Sequence, residues 1–176
     1  MVCDPNVDFT VLVDGARRGD REALGDLWSR FQPLLLRYLR GRRAAEPADL
    51  ASQAWLDVAA GLARFSGTER DFRRWLFTIA RRRHIDAVRR SVRRPVVELR
   101  PHHDTPVTAV DTADLDRALR LIGELPAEMG EAVLLRYLGD LDIDEIAAIQ
   151  GKRPGAVRVA LHRGMQRLNR AMGAGR

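Results

Sequence analysis

The sequence predicts an all-α protein: two small helical domains, about 1–93 and 114–176, joined by a flexible linker over 94–113. Three observations predict it. Apolar residues recur at the helical period along most of the chain. Only Pro95-Val-Val-Glu-Leu99 reads as extended. Around it, Pro95, Pro101, Pro106 and several threonines interrupt the pattern and set no period of their own, which is how a linker reads.

The elements follow in order. Val7 to about Arg18 is the first helix. Asp20 is a good N-cap for the second, whose buried side carries Ala23, Leu24, Leu27, Phe31, Leu34, Leu35 and Tyr38. Pro33 falls inside this run and predicts a kink or break. Pro47 starts a third helix with the stripe Leu50, Ala54, Val58 and Leu62. A polar loop follows, with Ser66-Gly67-Thr68 at its centre. Asp71 then caps a fourth helix from Phe72 to about Val92. Beyond the linker, helices are expected at Asp114–Glu124, Ala127–Leu138, Asp144–Gln150 and Pro154–Ala171.

The last two of these read as a helix–turn–helix. Ala147 stands where the two helices approach closely. Gly151, four residues on, stands where the chain leaves the first helix in a left-handed conformation that glycine adopts freely. Pro154 suits the first turn of the next helix. On that helix Val157, Leu161, Gly164, Leu168 and Met172 form an inward stripe, with Met165 at its edge. The opposite face carries Val159, His162, Arg163, Gln166 and Arg170, with Arg158 to one side. Residues 152–176 hold seven Lys or Arg and no acid. Such a helix can enter a major groove, its N-terminal residues reaching base edges and its later arginines holding phosphates. The competing reading is a solvated basic face on a core helix. Gln150 and Lys152 stand where this template usually has apolar residues.

Bulk properties narrow the class. No run of about 18 apolar residues exists, so no membrane insertion is expected. The N-terminus lacks the order of a signal peptide. The single cysteine, Cys3, excludes an internal disulfide, fits a reducing cytoplasm and reads as incidental. Net charge is +6 and unevenly spread. Residues 72–94 hold nine arginines and one acid, whereas 95–118 hold two arginines and five acids. Two separate basic helices suggest contact with a polyanion at two places. No Ser/His/Asp set, phosphate-cradling glycine loop or paired-carboxylate site is visible, so no catalysis and no cofactor are expected. His102-His103-Asp104 is too local to converge on one metal ion, and no metal is expected.

The fourth helix gives the pattern a family. Phe72, Trp75, Leu76 and Ile79 form its apolar stripe, flanked by Arg73, Arg74, Arg81 and Arg82. Ile85 and Val88 are rotated away, so it packs on more than one side or bends. The segment Asp71-Phe-Arg-Arg-Trp-Leu-Phe-Thr-Ile-Ala-Arg-Arg-Arg-His-Ile-Asp-Ala-Val-Arg-Arg90 resembles the −10-recognition helix of the extracytoplasmic-function sigma factors of bacterial RNA polymerase. Gly19-Asp-Arg-Glu-Ala-Leu resembles that family's opening motif, and Ala48-Asp-Leu-Ala-Ser-Gln53 its polymerase-binding helix. Leu125-Pro-Ala-Glu-Met, Leu134-Leu-Arg-Tyr-Leu138 and the helix–turn–helix resemble its −35-binding domain. The four motifs keep the family's order over about 17–93 and 115–172.

The resemblance implies a sigma-2-like helical bundle followed by a sigma-4-like helix–turn–helix domain, acting in the cytoplasm. It implies that Asp49, Gln53 and Asp57 dock on core RNA polymerase, although Asp49 also reads as a first-turn acid on the helix dipole. It implies that the loop Phe65–Arg70, with Ser66 and Thr68, receives a base flipped from the melted −10 element. Arg73, Arg74, Trp75, Arg81 and Arg82 would line that strand. Arg153, Arg158, Val159, His162, Arg163 and Gln166 would hold the −35 duplex of promoter DNA. An anti-sigma protein is a further implied partner. The linker acids Glu98, Asp104, Asp111, Asp114 and Asp116 could mimic nucleic acid, or form a solvated spacer.

Three positions depart from the family. Arg82 replaces a frequent asparagine, Gly130 a larger polar residue and Gly164 an alanine. Two other classes stay open at this point. One is a stand-alone dimeric helix–turn–helix regulator with an N-terminal sensor or dimerisation module. The other is an enzyme or small-molecule binder built on the N-terminal helices.

Overall fold

The computed structural model describes residues 9–93 and 112–173, which form helices and no strand. The first half comprises α1 (Phe9–Arg17), α2 (Arg21–Gly41), α3 (Pro47–Leu62) and α4 (Glu69–Arg93). The second comprises α5 (Thr112–Gly123), α6 (Ala127–Tyr137), α7 (Ile143–Gln150) and α8 (Pro154–Gly173). The extended stretch, most of the linker, its acids before Thr112, the His102-His103-Asp104 run and Cys3 all lie outside the described residues.

Local chemistry sets the helix ends. Asp20 caps α2, accepting from the backbone N–H groups of Glu22 and Ala23. Asp142 and Glu145 form a capping box at the start of α7. Gly151 ends α7 at φ 65°, the left-handed turn expected of it. At α4 the cap falls earlier than the sequence suggests. Thr68, not Asp71, takes the cap position: its Oγ accepts from the Asp71 N–H, and the Asp71 carboxylate accepts from the Thr68 N–H at 2.9 Å. Asp71 therefore belongs to the first turn, and the helix opens at Glu69.

α2 runs as one helix through Pro33, so the chain does not break there. Proline removes one donor and costs about 3 kcal/mol in a helix interior. Phe31, Leu35, Tyr38 and Leu39, all fully buried, hold the helix on both sides of it. Leu24 is 37 % exposed rather than buried. α1 packs on the neighbouring Ala23, which lies 2.9 Å from where a Cβ on Gly15 would sit, and leaves Leu24 on the uncovered flank.

The core of the first half is aromatic. Phe31 and Phe72 lie 4.9 Å apart, and Phe9 meets both rings. On α4 the buried face is Phe72, Leu76, Phe77, Ala80 and His84; Phe77 and Ala80 extend the expected stripe, while Trp75 and Ile79 sit at its margin. In the second half α8 lies against α6 through Val157, Gly164 and Leu168. A Cβ on Gly164 would come within 3.0 Å of Val133 and 3.1 Å of Met129, so the glycine allows the helices to close up. The expected inward residue Met172 is 48 % exposed, because the last turn of α8 runs past its neighbours.

The halves are not separate bodies. α5 and α6 pack on α2, and α7 touches α4. One buried cluster runs from Phe9 to Val157. A Cβ on Gly41, at the end of α2, would lie 2.7 Å from Leu134 of α6. Phe77 of α4 reaches the turn at Gly139.

Candidate nucleic-acid interface

The outer face of α8 is built as its pattern predicts. Val157 is 1 % exposed and Ala147 3 %, so the α7–α8 corner is pinned from inside. Rotated away from them, Arg158, Val159, His162, Arg163 and Gln166 face solvent, and Arg153 stands exposed in the turn before the helix. Gln166 Nε2 lies 3.0 Å from His162 Nε2. Lys152 pairs with Glu128 at 2.7 Å rather than projecting with this set.

The residues expected on the −10 strand fall into three environments. Phe65 and Trp75 are half-buried and stacked on each other, 5.2 Å apart at 15°, and Phe65 is edge-on to Phe72. The Trp75 indole also covers Gly61, where a Cβ would meet it at 2.6 Å. These rings are committed to the core margin. Ser66 and Thr68 are exposed beside them. The arginines are exposed or half-exposed, and most are already partnered. Arg73 holds Glu69 at 2.5 Å, Arg30 of α2 holds the same carboxylate, and both guanidiniums lie 5.9 Å from the Phe31 ring. Arg74 reaches Asp71 at 3.3 Å. Arg82 is exposed.

Arg70 and Arg81 differ because their partners come from the second half. Arg70 forks onto Asp142 and Glu145, each at 2.8 Å. Its hydrogen bond to Glu145 pushes its guanidinium further up from the ordinary value. Arg81 donates to Glu131 at 3.2 Å. Eleven residues separate the two arginines, close to three full turns, so they share one face of α4 about 16 Å apart along its axis. Glu131 is 2 % exposed and was not foreseen. It also accepts from Tyr38 at 2.9 Å and from Gln150 at 3.1 Å, with Arg42 Nε at 3.6 Å. Burial, and then the Glu131 charge, push the Tyr38 hydroxyl well above its ordinary value. One signal pointed here: Gln150 is polar where the helix–turn–helix template is apolar, and it turns inward to this acid.

The candidate polymerase surface lies along one edge of α3. Asp49 is exposed in the first turn, and Gln53 half-exposed one turn on. Asp57, a turn further, is engaged by Arg83 of α4, whose Nε lies 2.6 Å from it and whose Nη2 makes a second bond. That hydrogen bonding holds the Asp57 carboxyl below the usual range. Leu50, Ala54 and Val58 face the core. Among the described residues, no group of His, Cys, Asp or Glu is arranged to hold a metal ion. No helix there is long and apolar enough to cross a membrane.

Residues 27–94 match the family Sigma-70 region 2, and residues 115–168 match Sigma-70, region 4. The ECF RNA polymerase sigma factor ShbA of Streptomyces griseus is 33 % identical over 182 residues, spanning 94 % of this chain and 95 % of that one. The chain belongs to the ECF RNA polymerase sigma factors. SigD of Mycobacterium tuberculosis, also an ECF sigma factor, is 32 % identical over 170 residues, 89 % of this chain and 80 % of its own length. Among solved structures, CnrH in complex with the cytosolic domain of CnrY superposes with a TM-score of 0.64 at 23 % identity, covering 93 % of this chain and 96 % of that one. The sigma factor RpoE of Bartonella quintana, in complex with the anti-sigma factor NepR, gives 0.58 at 22 %, over 85 % and 99 %. At these identities the structures speak for the fold alone. α2–α4 thus carry sigma region 2 and α5–α8 region 4, so this ECF sigma factor presents both regions in one chain. A palindrome-reading dimeric regulator is not favoured.

Proposed function

We propose that this sigma factor binds core RNA polymerase through the Asp49–Asp57 edge of α3, reads the −35 duplex with α8, and helps open the −10 element with α4 and the loop before it. The observation that carries the reading is the outer face of α8. Arg158, Val159, His162 and Arg163 stand exposed on a helix whose opposite side is locked by Val157, Gly164 and Leu168. A rigid, exposed, basic helix preceded by a tight glycine turn is the arrangement that seats side chains at base edges. Arg153 and Gln166 extend its reach to the flanking phosphates.

For the −10 element, Ser66, Thr68, Arg70, Arg73, Arg74, Arg81 and Arg82 supply the polar and cationic contacts. Phe65 and Trp75 shape the wall beneath rather than stacking on bases. A base extruded from the duplex is captured at this loop, which offsets unpairing at a cost of a few kcal/mol. The work is binding and orientation, without catalysis by this chain. It takes place in the cytoplasm with the polymerase, and an anti-sigma protein is the partner expected to withhold the chain.

Reconstituted run-off transcription tests the reading. Core polymerase plus this chain is expected to initiate at specific sites from a genomic library, and Asp49→Lys to abolish that gain. Equal initiation with and without the chain would overturn it.

A further inference from the structure

We propose that the cavity where the end of α2 and the second half of α4 meet α5 and α6 is a binding site for a small organic monocarboxylate with an apolar body. The cavity has a volume of about 340 Å³, within the range of small-molecule sites built between helices. None of the side chains that line it is among those assigned to DNA or to polymerase.

The lining has an apolar part and a cationic part. Ile85 and Val88 of α4 line it together with Ile122 near the end of α5 and Leu125 in the turn that follows. An apolar body buried among these four side chains supplies the main driving force. Arg42, Arg43 and Arg89 add three positive charges, against one negative charge on Glu131. That carboxylate is already engaged by Tyr38, Gln150 and Arg81. Among the described residues, no ion pair joins Arg43 or Arg89. The balance selects an anion, which a guanidinium takes on two parallel N–H groups. Glu131 in the wall repels a second negative charge, so a carboxylate suits the site better than a phosphate dianion.

Polar groups in the wall lack acceptors. His84 is 6 % exposed, and its Nδ1 is buried with no hydrogen-bond partner among the described residues. Arg42 Nε is buried in the same state; Oε1 of Glu131 is 3.6 Å away, too far for a hydrogen bond. With the ring proton on Nδ1, both atoms are donors that a carboxylate would satisfy. Two backbone features shape the wall around them. Arg43 is held in the left-handed region at φ 54°, which disfavours any side chain, and its Cγ lies 2.9 Å from where a Cβ on Gly123 would sit. Gly130, in place of the family's larger polar residue, has the Ile122 carbonyl 2.7 Å from where its own Cβ would sit, so the end of α5 closes onto α6.

The test titrates the isotope-labelled full chain with sodium octanoate, followed by the amide resonances in nuclear magnetic resonance spectra. Octanol and inorganic phosphate, each carrying half of the chemistry, are the controls. Octanoate is expected to shift the amides of 84–89, 122–125 and 127–131 saturably, with a Kd below about 1 mM. Octanol and phosphate are each expected to bind at least about tenfold more weakly, one lacking the charge and the other the apolar body. Arg43→Ala with Arg89→Ala, both at exposed positions, should weaken octanoate about fivefold. Val88→Trp, at a rim position that is 48 % exposed, should occupy the cavity and abolish the shifts. Urea midpoints check that each variant is folded. Four results would overturn the proposal: no saturable shift with octanoate, shifts that map elsewhere, octanol or phosphate binding as tightly, or an unchanged Kd in the folded variants. The wild-type titrations decide it even if a variant fails to fold.

Discussion

Two glycines of α8 show how one residue type serves opposite ends. A Cβ at position 164 would press on Val133 and Met129, whereas at position 155 nothing lies within 4 Å. Gly164→Val is therefore expected to cost about 1–3 kcal/mol by overpacking, and Gly155→Ala to gain up to about 1 kcal/mol from the lost freedom of the unfolded chain; urea unfolding measures both. His84 gives a pH signature. Burial, and next the Arg42 charge, lower its pKa from the ordinary 6.5, with Glu131 pulling the other way. The folded state prefers the neutral ring. Its contribution is thus complete above about pH 6.5 and is lost as pH falls through the lower folded value. Acidification from pH 7 to 5 should lower the urea midpoint of the wild type more than that of His84→Leu, which has no proton to gain. Equal slopes would show that His84 is not the titrating group.

At the scale of elements, α8 is where sequence and structure agree most closely. Its buried and exposed faces were legible because alternation at the helical period is a local property that one helix sets alone. Arg158→Ala and Arg163→Ala should each weaken binding of the polymerase-bound chain to its −35 duplex by about 1–3 kcal/mol, read by competition with unlabelled promoter. Their urea midpoints should not move, because both side chains are exposed. α2 and α4 were less legible. Pro33 was read as a kink or break because its penalty is local, yet the burial of Phe31 and Leu35 that keeps α2 continuous depends on packing against other helices. Asp71 was read as a cap because its type fits, but Thr68 three residues earlier completes a reciprocal pair. Phe65 and Trp75 were read as lining the path of the −10 strand, and no sequence pattern says that two rings ten residues apart stack on each other. Glu131 was signalled only indirectly, by the polar Gln150 that turns inward to it. Its role exists only where α2, α4, α6 and α7 meet.

For the whole molecule, a buried cluster spanning both halves predicts a single cooperative transition. All three tryptophans, Trp28, Trp55 and Trp75, lie in the first half, so their fluorescence reports on that half alone, whereas far-ultraviolet dichroism reports on every helix. The two urea curves should coincide if the halves unfold together, and separate if region 4 melts on its own. The shared carboxylates carry one more consequence. Arg73 already leans on Glu69, Arg74 on Asp71, Arg81 on Glu131 and Arg70 on Glu145. A nucleic-acid strand arriving at α4 trades one anion for another at each site, so fewer small ions are set loose than the number of arginines suggests. The logarithm of its affinity should then fall with the logarithm of potassium chloride concentration less steeply than about 0.7 per arginine engaged, the value for bare cations on a single strand.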